Sequence, residues 1–125
     1  RATPFGHRMS DEASYSRVVE FGVDEEAMTV RQVWSYGNAP GERLFACYQG
    51  GAYRLPKTGN TFMTYGGICT RDGKPAGVPS DSFAQARMIE ITPDKEVVFD
   101  MWIDDSDSDD PLPLSSFRAE FVAAS

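Results

Sequence analysis

Residues 86–103 read ARMIEITPDKEVVFDMWI, and residues 16–34 read SRVVEFGVDEEAMTVRQVW. Each runs Arg, two aliphatic residues, Glu, one more apolar residue, a polar turn, and then alternating residues that end in Trp. In the earlier copy Val19, Phe21 and Val23 fall on one face of an alternating run, and Thr29 to Trp34 is rich in β-branched and aromatic residues. Asp24-Glu25-Glu26-Ala27 lies between them as a turn, so 16–36 is expected to be a β-hairpin. The later copy turns at Thr92-Pro93-Asp94-Lys95, where proline pre-sets the backbone angle. Arg17 to Trp34 is two residues longer than Arg87 to Trp102, a difference assigned to the turn. On that alignment Trp34 and Trp102 occupy equivalent, structural positions.

A third hairpin stands between the copies. Leu44 to Leu55 is apolar-rich, Pro56-Lys57-Thr58-Gly59-Asn60 turns, and Thr61-Phe62-Met63-Thr64-Tyr65 returns. Gly66-Gly67 in the return strand indicates close backbone approach and not a packed side chain. Residues 69–85 are expected as an irregular loop, and Ser116 to Val122 as a last short strand. No helix of three turns carries a convincing apolar stripe. The chain reads as all-β. The inner hairpin 44–68 and the outer hairpin 86–103 make a four-stranded antiparallel blade spanning 44–103, and 16–36 is the outer hairpin of a preceding blade. Residues 115–123 close the set. A blade buries both faces only between neighbours, so residues 1–125 read as one domain-sized fragment of a β-propeller. Its bare faces then call for the remainder of a longer chain or a second copy.

The formal charge of −7 argues against nucleic acid as a partner. No run of 18 or more apolar residues is present to span a membrane as a helix. Beginning RATPFGHRMSDE, with no initiator Met, the chain reads as cut from something longer. Two cysteines and one histidine are too few for a zinc site. The acidic stretch 104–110 alternates Asp105, Asp107 and Asp109, but Asp110 and Ser116 stand where a calcium loop needs Gly and Glu. A solvated loop is the simpler reading, and neither metal nor cofactor is expected. If Leu55 faces Thr61, Cys47 faces Cys69 within disulfide reach; the alternative is two buried thiols.

Tyr15-Ser16-Arg17-Val18-Val19-Glu20-Phe21 followed by Thr29-Val30-Arg31-Gln32-Val33-Trp34-Ser35-Tyr36-Gly37 resembles the paired signature of the bacterial aryl-sulfate sulfotransferases. Leu55-Pro56 with Gly59-Asn60-Thr61, Tyr65-Gly66-Gly67 and Phe117-Arg118-Ala119 extend the resemblance over nearly the whole chain. It implies the C-terminal part of a six-bladed propeller enzyme of an extracytoplasmic compartment. Such an enzyme passes a sulfuryl group from a phenolic sulfate ester to a phenol by a ping-pong route through a sulfo-histidine, without a nucleotide donor. In that setting the even cysteine count favours a Cys47–Cys69 bridge.

That chemistry needs a nucleophile and donors for three oxygens. By resemblance a functional arginine precedes the Tyr15-Ser16-Arg17 segment, at Arg1, or at Arg8 if the offset is two residues. The family's histidine follows the Gly-Gly turn, but here Ile68-Cys69-Thr70-Arg71 follows. The only histidine of the chain is His7, either the nucleophile or an exposed loop residue; in the latter case the nucleophile is expected in an earlier part of a longer protein, or the chemistry is different or lost. Phe117 and Arg118 are the substrate-binding candidates, and Arg71 reads as a solvated charge. Two further readings stand beside the enzyme: a non-catalytic propeller binding module, favoured by the missing histidine, and a structural or assembly fragment.

Overall fold

The computed structural model describes residues 13–77, 83–120 and 122. It is built of antiparallel strands in two sheets. Strands β1 (Val18–Asp24) and β2 (Thr29–Tyr36) form a separate hairpin. Strands β3 (Ala46–Arg54), β4 (Thr61–Arg71), β6 (Phe83–Ile91) and β7 (Val97–Ile103) lie side by side in that order, with the short β5 (Lys74–Pro75) on β4. The three expected hairpins are present, and the last two share one sheet. The loop expected over 69–85 is partly strand: β4 runs to Arg71, β5 folds back on it, and β6 begins at Phe83. Residues 112–120, which include the start of the expected closing strand 115–123, carry no strand. They cross the sheet as a strap, with Leu114 N–H donating to the Ala84 carbonyl and Ser116 N–H to that of Gly66.

Each turn has a local cause. Leu55 N–H bonds the Asn60 carbonyl, and Gly59 takes a φ of +74° that a side chain would resist. Met28 (φ 53°) and Lys95 (φ 70°) hold left-handed positions just before β2 and β7. Asp24 caps the first turn by accepting from Ala27 N–H at 2.9 Å. Thr92 Oγ1 accepts from Glu96 N–H in the second at 3.1 Å.

The two outer hairpins share an irregularity. The ladder slips between Glu20 and Phe21 in one and between Glu90 and Ile91 in the other, so Val33 and Val98 are each bulged out. This places Glu20 on Glu90 as the sequence suggests. It also corrects the return strands: Trp34 faces Glu20, whereas Phe99 faces Glu90 and Trp102 faces Arg87. The equivalent of Trp34 is therefore Phe99. The first hairpin is longer because Gly22, Val23 and Asp24 pair beyond the bulge, which no count from Arg to Trp detects.

Alternation divides the sheet into two faces. Met63, Tyr65, Ile68, Ile89 and Ile91 form one, and the hairpin covers it with Val18, Trp34 and Tyr36. Trp34 Nε1–H also donates to the Pro93 carbonyl at 3.0 Å, tying the hairpin to the far turn. Each such large apolar side chain, once buried, contributes roughly 1.5–3 kcal/mol. Phe62, Ala86 and Met88 lie on the opposite face, partly covered by Ala119 of the strap. The strap explains Gly66, where a Cβ would collide with the Ser116 carbonyl oxygen and stand 2.8 Å from Gln49 Cβ. At Gly67 it would meet the Tyr48 ring at 2.5 Å. The expected close backbone approach is found at Gly66; at Gly67 the neighbour is the Tyr48 side chain and not a backbone. Phe21, Val23, Val30 and Val33 on the hairpin, and Val97, Phe99 and Met101 on β7, remain exposed.

Candidate functional site

Where hairpin meets sheet, a polar row crosses the apolar seam. Arg87 and Asp100 join by two hydrogen bonds, Nε to Oδ1 at 2.9 Å and Nη2 to Oδ2 at 2.7 Å. The guanidinium also lies over the Trp102 ring, 5.1 Å from its centre. Bonding to Arg87 holds the Asp100 carboxyl below its ordinary range, and bonding to Asp100 holds the arginine above its own. Tyr65 sits next to Arg87 in this row with its hydroxyl buried and unpartnered. Burial first, then the fields of Tyr36 and Glu42, push its pKa up against the opposing arginine, so it stays protonated. Arg87 is committed to Asp100 and Trp102, which makes the row a fastening. Sequence reading missed it because Arg87 and Asp100 become diagonal neighbours only through the β6–β7 register.

Open clefts flank β1. One of about 510 Å³ lies between Ser16–Val19 and β3, with Arg17 and Gln49 on its walls and Gly50, Gly51 and Ala52 on its floor. A second of about 370 Å³ continues along Val18, Val19 and Glu20 toward Arg54. Ser16 closes one end, donating from N–H to the Leu44 carbonyl at 2.7 Å and accepting from Ala46 N–H at Oγ. The Glu20–Arg54 ion pair spans the other. The first cleft has the volume of a small-molecule site, and Arg17 and Gln49 are donors of the kind that hold an oxyanion.

Phe117 and Arg118 are brought together on a smaller cavity of about 210 Å³, against Gly50, Gly51 and Tyr53 on the outer edge of β3. Both side chains are exposed. Arg118 Nε stands 3.8 Å from Glu120 Oε1, an exposed pairing that holds the guanidinium only weakly. A guanidinium, an aromatic ring and a free strand edge side by side suit an aromatic anion. Arg1, His7 and Arg8 lie outside the described residues. Arg71 ends β4 in an exposed position.

Cys47 and Cys69 do meet, although by a different register from the expected one. Arg54 faces Thr61, one residue away from the expected partner Leu55, and the ladder then breaks between Ala46 and Tyr48. That break leaves the two Sγ atoms 2.9 Å apart, as thiols without an S–S bond. Cys69 is fully buried against Ala76 and Ala84. Beside it a cavity of about 260 Å³ is lined by Ser14, Arg43, Leu44 and Ile68. In the acidic loop, Asp104 and Asp105 accept backbone bonds from Ser106 and Leu112. Among the described residues no three His, Cys, Asp or Glu side chains converge as a metal site would need.

Against this geometry stands the comparison with known families. The arylsulfotransferase (ASST) family matches residues 4–111, most of the chain, and the protein belongs to that family. No match is found among curated proteins or among solved structures.

Proposed function

We propose that the chain is part of an aryl-sulfate sulfotransferase that moves a sulfuryl group from a phenolic sulfate ester to a phenol, outside the cytoplasm. The observation that carries this reading is the family match over residues 4–111. The neutral imidazole of His7 attacks the sulfur, the bond from sulfur to the aryl oxygen breaks, and a phenolate leaves. The acceptor phenol's oxygen then attacks the same sulfur. As the nitrogen–sulfur bond breaks, the acceptor's proton is released, the new ester departs and the imidazole is restored. Arg1 holds the sulfuryl oxygens, and Phe117 with Arg118 receives the aryl sulfate at the edge of β3. The test is an assay of the chain, and of any longer protein containing it, with a chromogenic aryl sulfate and a phenol acceptor. Without acceptor, one equivalent of phenol should be released and the chain should gain the mass of one sulfuryl group, both lost in His7→Ala. Turnover unaffected by His7→Ala would overturn the assignment.

One observation favours a second reading, a non-catalytic binding module. After Gly66-Gly67 the chain places Ile68 and Cys69, both buried, where the resemblance calls for histidine. That reading expects aryl sulfate to bind by calorimetry with no turnover in any context. Under oxidising conditions we propose that Cys47 and Cys69 close a disulfide, giving two electrons and two protons to an oxidised low-molecular-weight disulfide. Mass spectrometry should then show the loss of two hydrogens and of both alkylation sites; retention of both sites would sink the bridge. The bare sheet faces are covered by the remainder of a longer chain or by a second copy.

A further inference from the structure

The two cysteines face each other but stand in unlike surroundings. Ala46 and Tyr48 lie opposite Ile68 and Gly67, which are consecutive, so Cys47 is the extra residue of a bulge in β3. Such a residue can turn without giving up a rung of the ladder. Its neighbours are held in place, Ala46 by donating its N–H to Ser16 Oγ at 3.0 Å and Tyr48 by its ring lying against Gly67. Cys69 belongs to β4, which runs between β3 and β6, and there it faces Ala84 within the ladder. Ala76 N–H donates to its carbonyl at 2.9 Å, and its side chain packs among Ala76 and Ala84. Cys47 is half-buried, whereas Cys69 is 0% exposed. One thiol is open to reagents and set on a movable residue. The other is closed to reagents, yet its Sγ lies 2.9 Å from the first.

We propose that Cys47 is a site of reversible thiolation by low-molecular-weight disulfides, and that Cys69 is the thiol that resolves the adduct. Cys47 loses its proton to water, and its sulfur attacks one sulfur of the incoming disulfide. The small molecule's S–S bond breaks, one small thiolate leaves and takes a proton, and a mixed disulfide remains on Cys47. Cys69 then gives up its proton and its sulfur attacks Cys47 Sγ. The mixed bond breaks, the second small thiol departs, and the Cys47–Cys69 bridge is left. In sum, the pair gives two electrons and two protons to one small disulfide, which becomes two thiols. The second step is intramolecular between atoms already in contact, so the adduct is short-lived on the parent chain. Reduction retraces the path, since an external thiol reaches only Cys47 Sγ and expels Cys69. The inference rests on the bridge proposed above, and adds which thiol reacts first and what the other does.

The experiment treats the reduced 125-residue chain with oxidised glutathione, quenches samples with acid over time and reads intact mass. The parent should lose two hydrogens without accumulating an adduct. Cys69→Ser should gain the mass of one glutathione moiety, mapped to Cys47 by digestion. Cys47→Ser should stay unmodified over the time in which Cys69→Ser is fully converted, and in urea the two variants should react alike. The native parent gives a reading that needs no substitution: iodoacetamide added to the reduced chain should label Cys47 first, and Cys69 only after denaturation. Modification of Cys69 in native Cys47→Ser as fast as that of Cys47 in Cys69→Ser, or labelling of Cys69 before Cys47, overturns the order of attack while leaving the bridge standing. A parent chain that keeps the glutathione adduct and never loses two hydrogens overturns the resolving role of Cys69 and the bridge with it.

Discussion

Tyr65 carries a hydroxyl with no partner in a place that water does not reach. An unsatisfied buried polar group costs about 1–3 kcal/mol, so Tyr65→Phe should stabilise the chain by about 1 kcal/mol in urea unfolding. An unchanged or lowered midpoint would show that the hydroxyl is satisfied. The neighbouring pair predicts a dependence on pH. Asp100 is depressed by its bonds to Arg87, so its contribution to stability is present above the unfolded carboxyl value of about 4 and is lost as pH falls through the folded value. The side chain is 39% exposed, which limits the contribution to about 0.2–1 kcal/mol. In Asp100→Asn the part of the acid-side slope due to this group should vanish, as thermal unfolding from pH 5 downward would show. Gly66→Ala acts in the other direction. Its Cβ would meet the backbone of Ser116, which has no flexible end to yield, and a loss of about 2–4 kcal/mol is expected in the same urea experiment. Gly66 was legible in the sequence because paired glycines weaken a strand unless another backbone lies close against them. The register that sets Asp100 diagonally across from Arg87 was not, because a bulge of one residue moves every later partner.

At the scale of elements, the sequence carried strand order and hairpin turns well, since proline, glycine and the period of two mark them directly. It misplaced partners wherever a ladder slipped. Trp34 was aligned with Trp102, although the bulges at Val33 and Val98 and the longer first hairpin put Phe99 in its place. The cysteines met despite a register wrong by one, because the break between Ala46 and Tyr48 compensates. A turn offers a clean test of local reasoning. Lys95 holds a φ of 70°, which costs a side chain about 1–2 kcal/mol, while glycine recovers most of this at some entropic expense. Lys95→Gly should raise stability by about 0.5 kcal/mol on balance, read from the thermal midpoint. A fall would mean that the lysine side chain contributes through a contact of its own.

For the whole molecule, the strap over residues 112–120 takes the role that sequence reading gave to a closing strand. Ala119 packs beside Phe62 and Met88, and two backbone bonds fasten the segment across Ala84 and Gly66. A chain ending at Pro111 should keep its strands but bind more of a hydrophobic dye, and lose about 2 kcal/mol of stability. Unchanged dye binding would show that the strap covers little. Family membership was legible because its motifs are local runs such as Ser16-Arg17 and Gln32-Val33-Trp34. The site was less so. Phe117 and Arg118 reach the edge of β3 only through the path of the strap, which has no periodic signal.

The bulges at Val33 and Val98 also divide each hairpin into a part that tolerates editing and a part that does not. Residues added or removed between the slip and the tip leave every pairing on the core side in place, as the unequal lengths of the two copies already show. A single residue gained or lost on the core side would turn Trp34 or Met88 over to the opposite face. The tip formed by Glu25, Glu26, Ala27 and Met28 is exposed throughout. It is the natural place to graft a peptide epitope, a fluorophore or a tether to a surface, with the fold unaware of the addition.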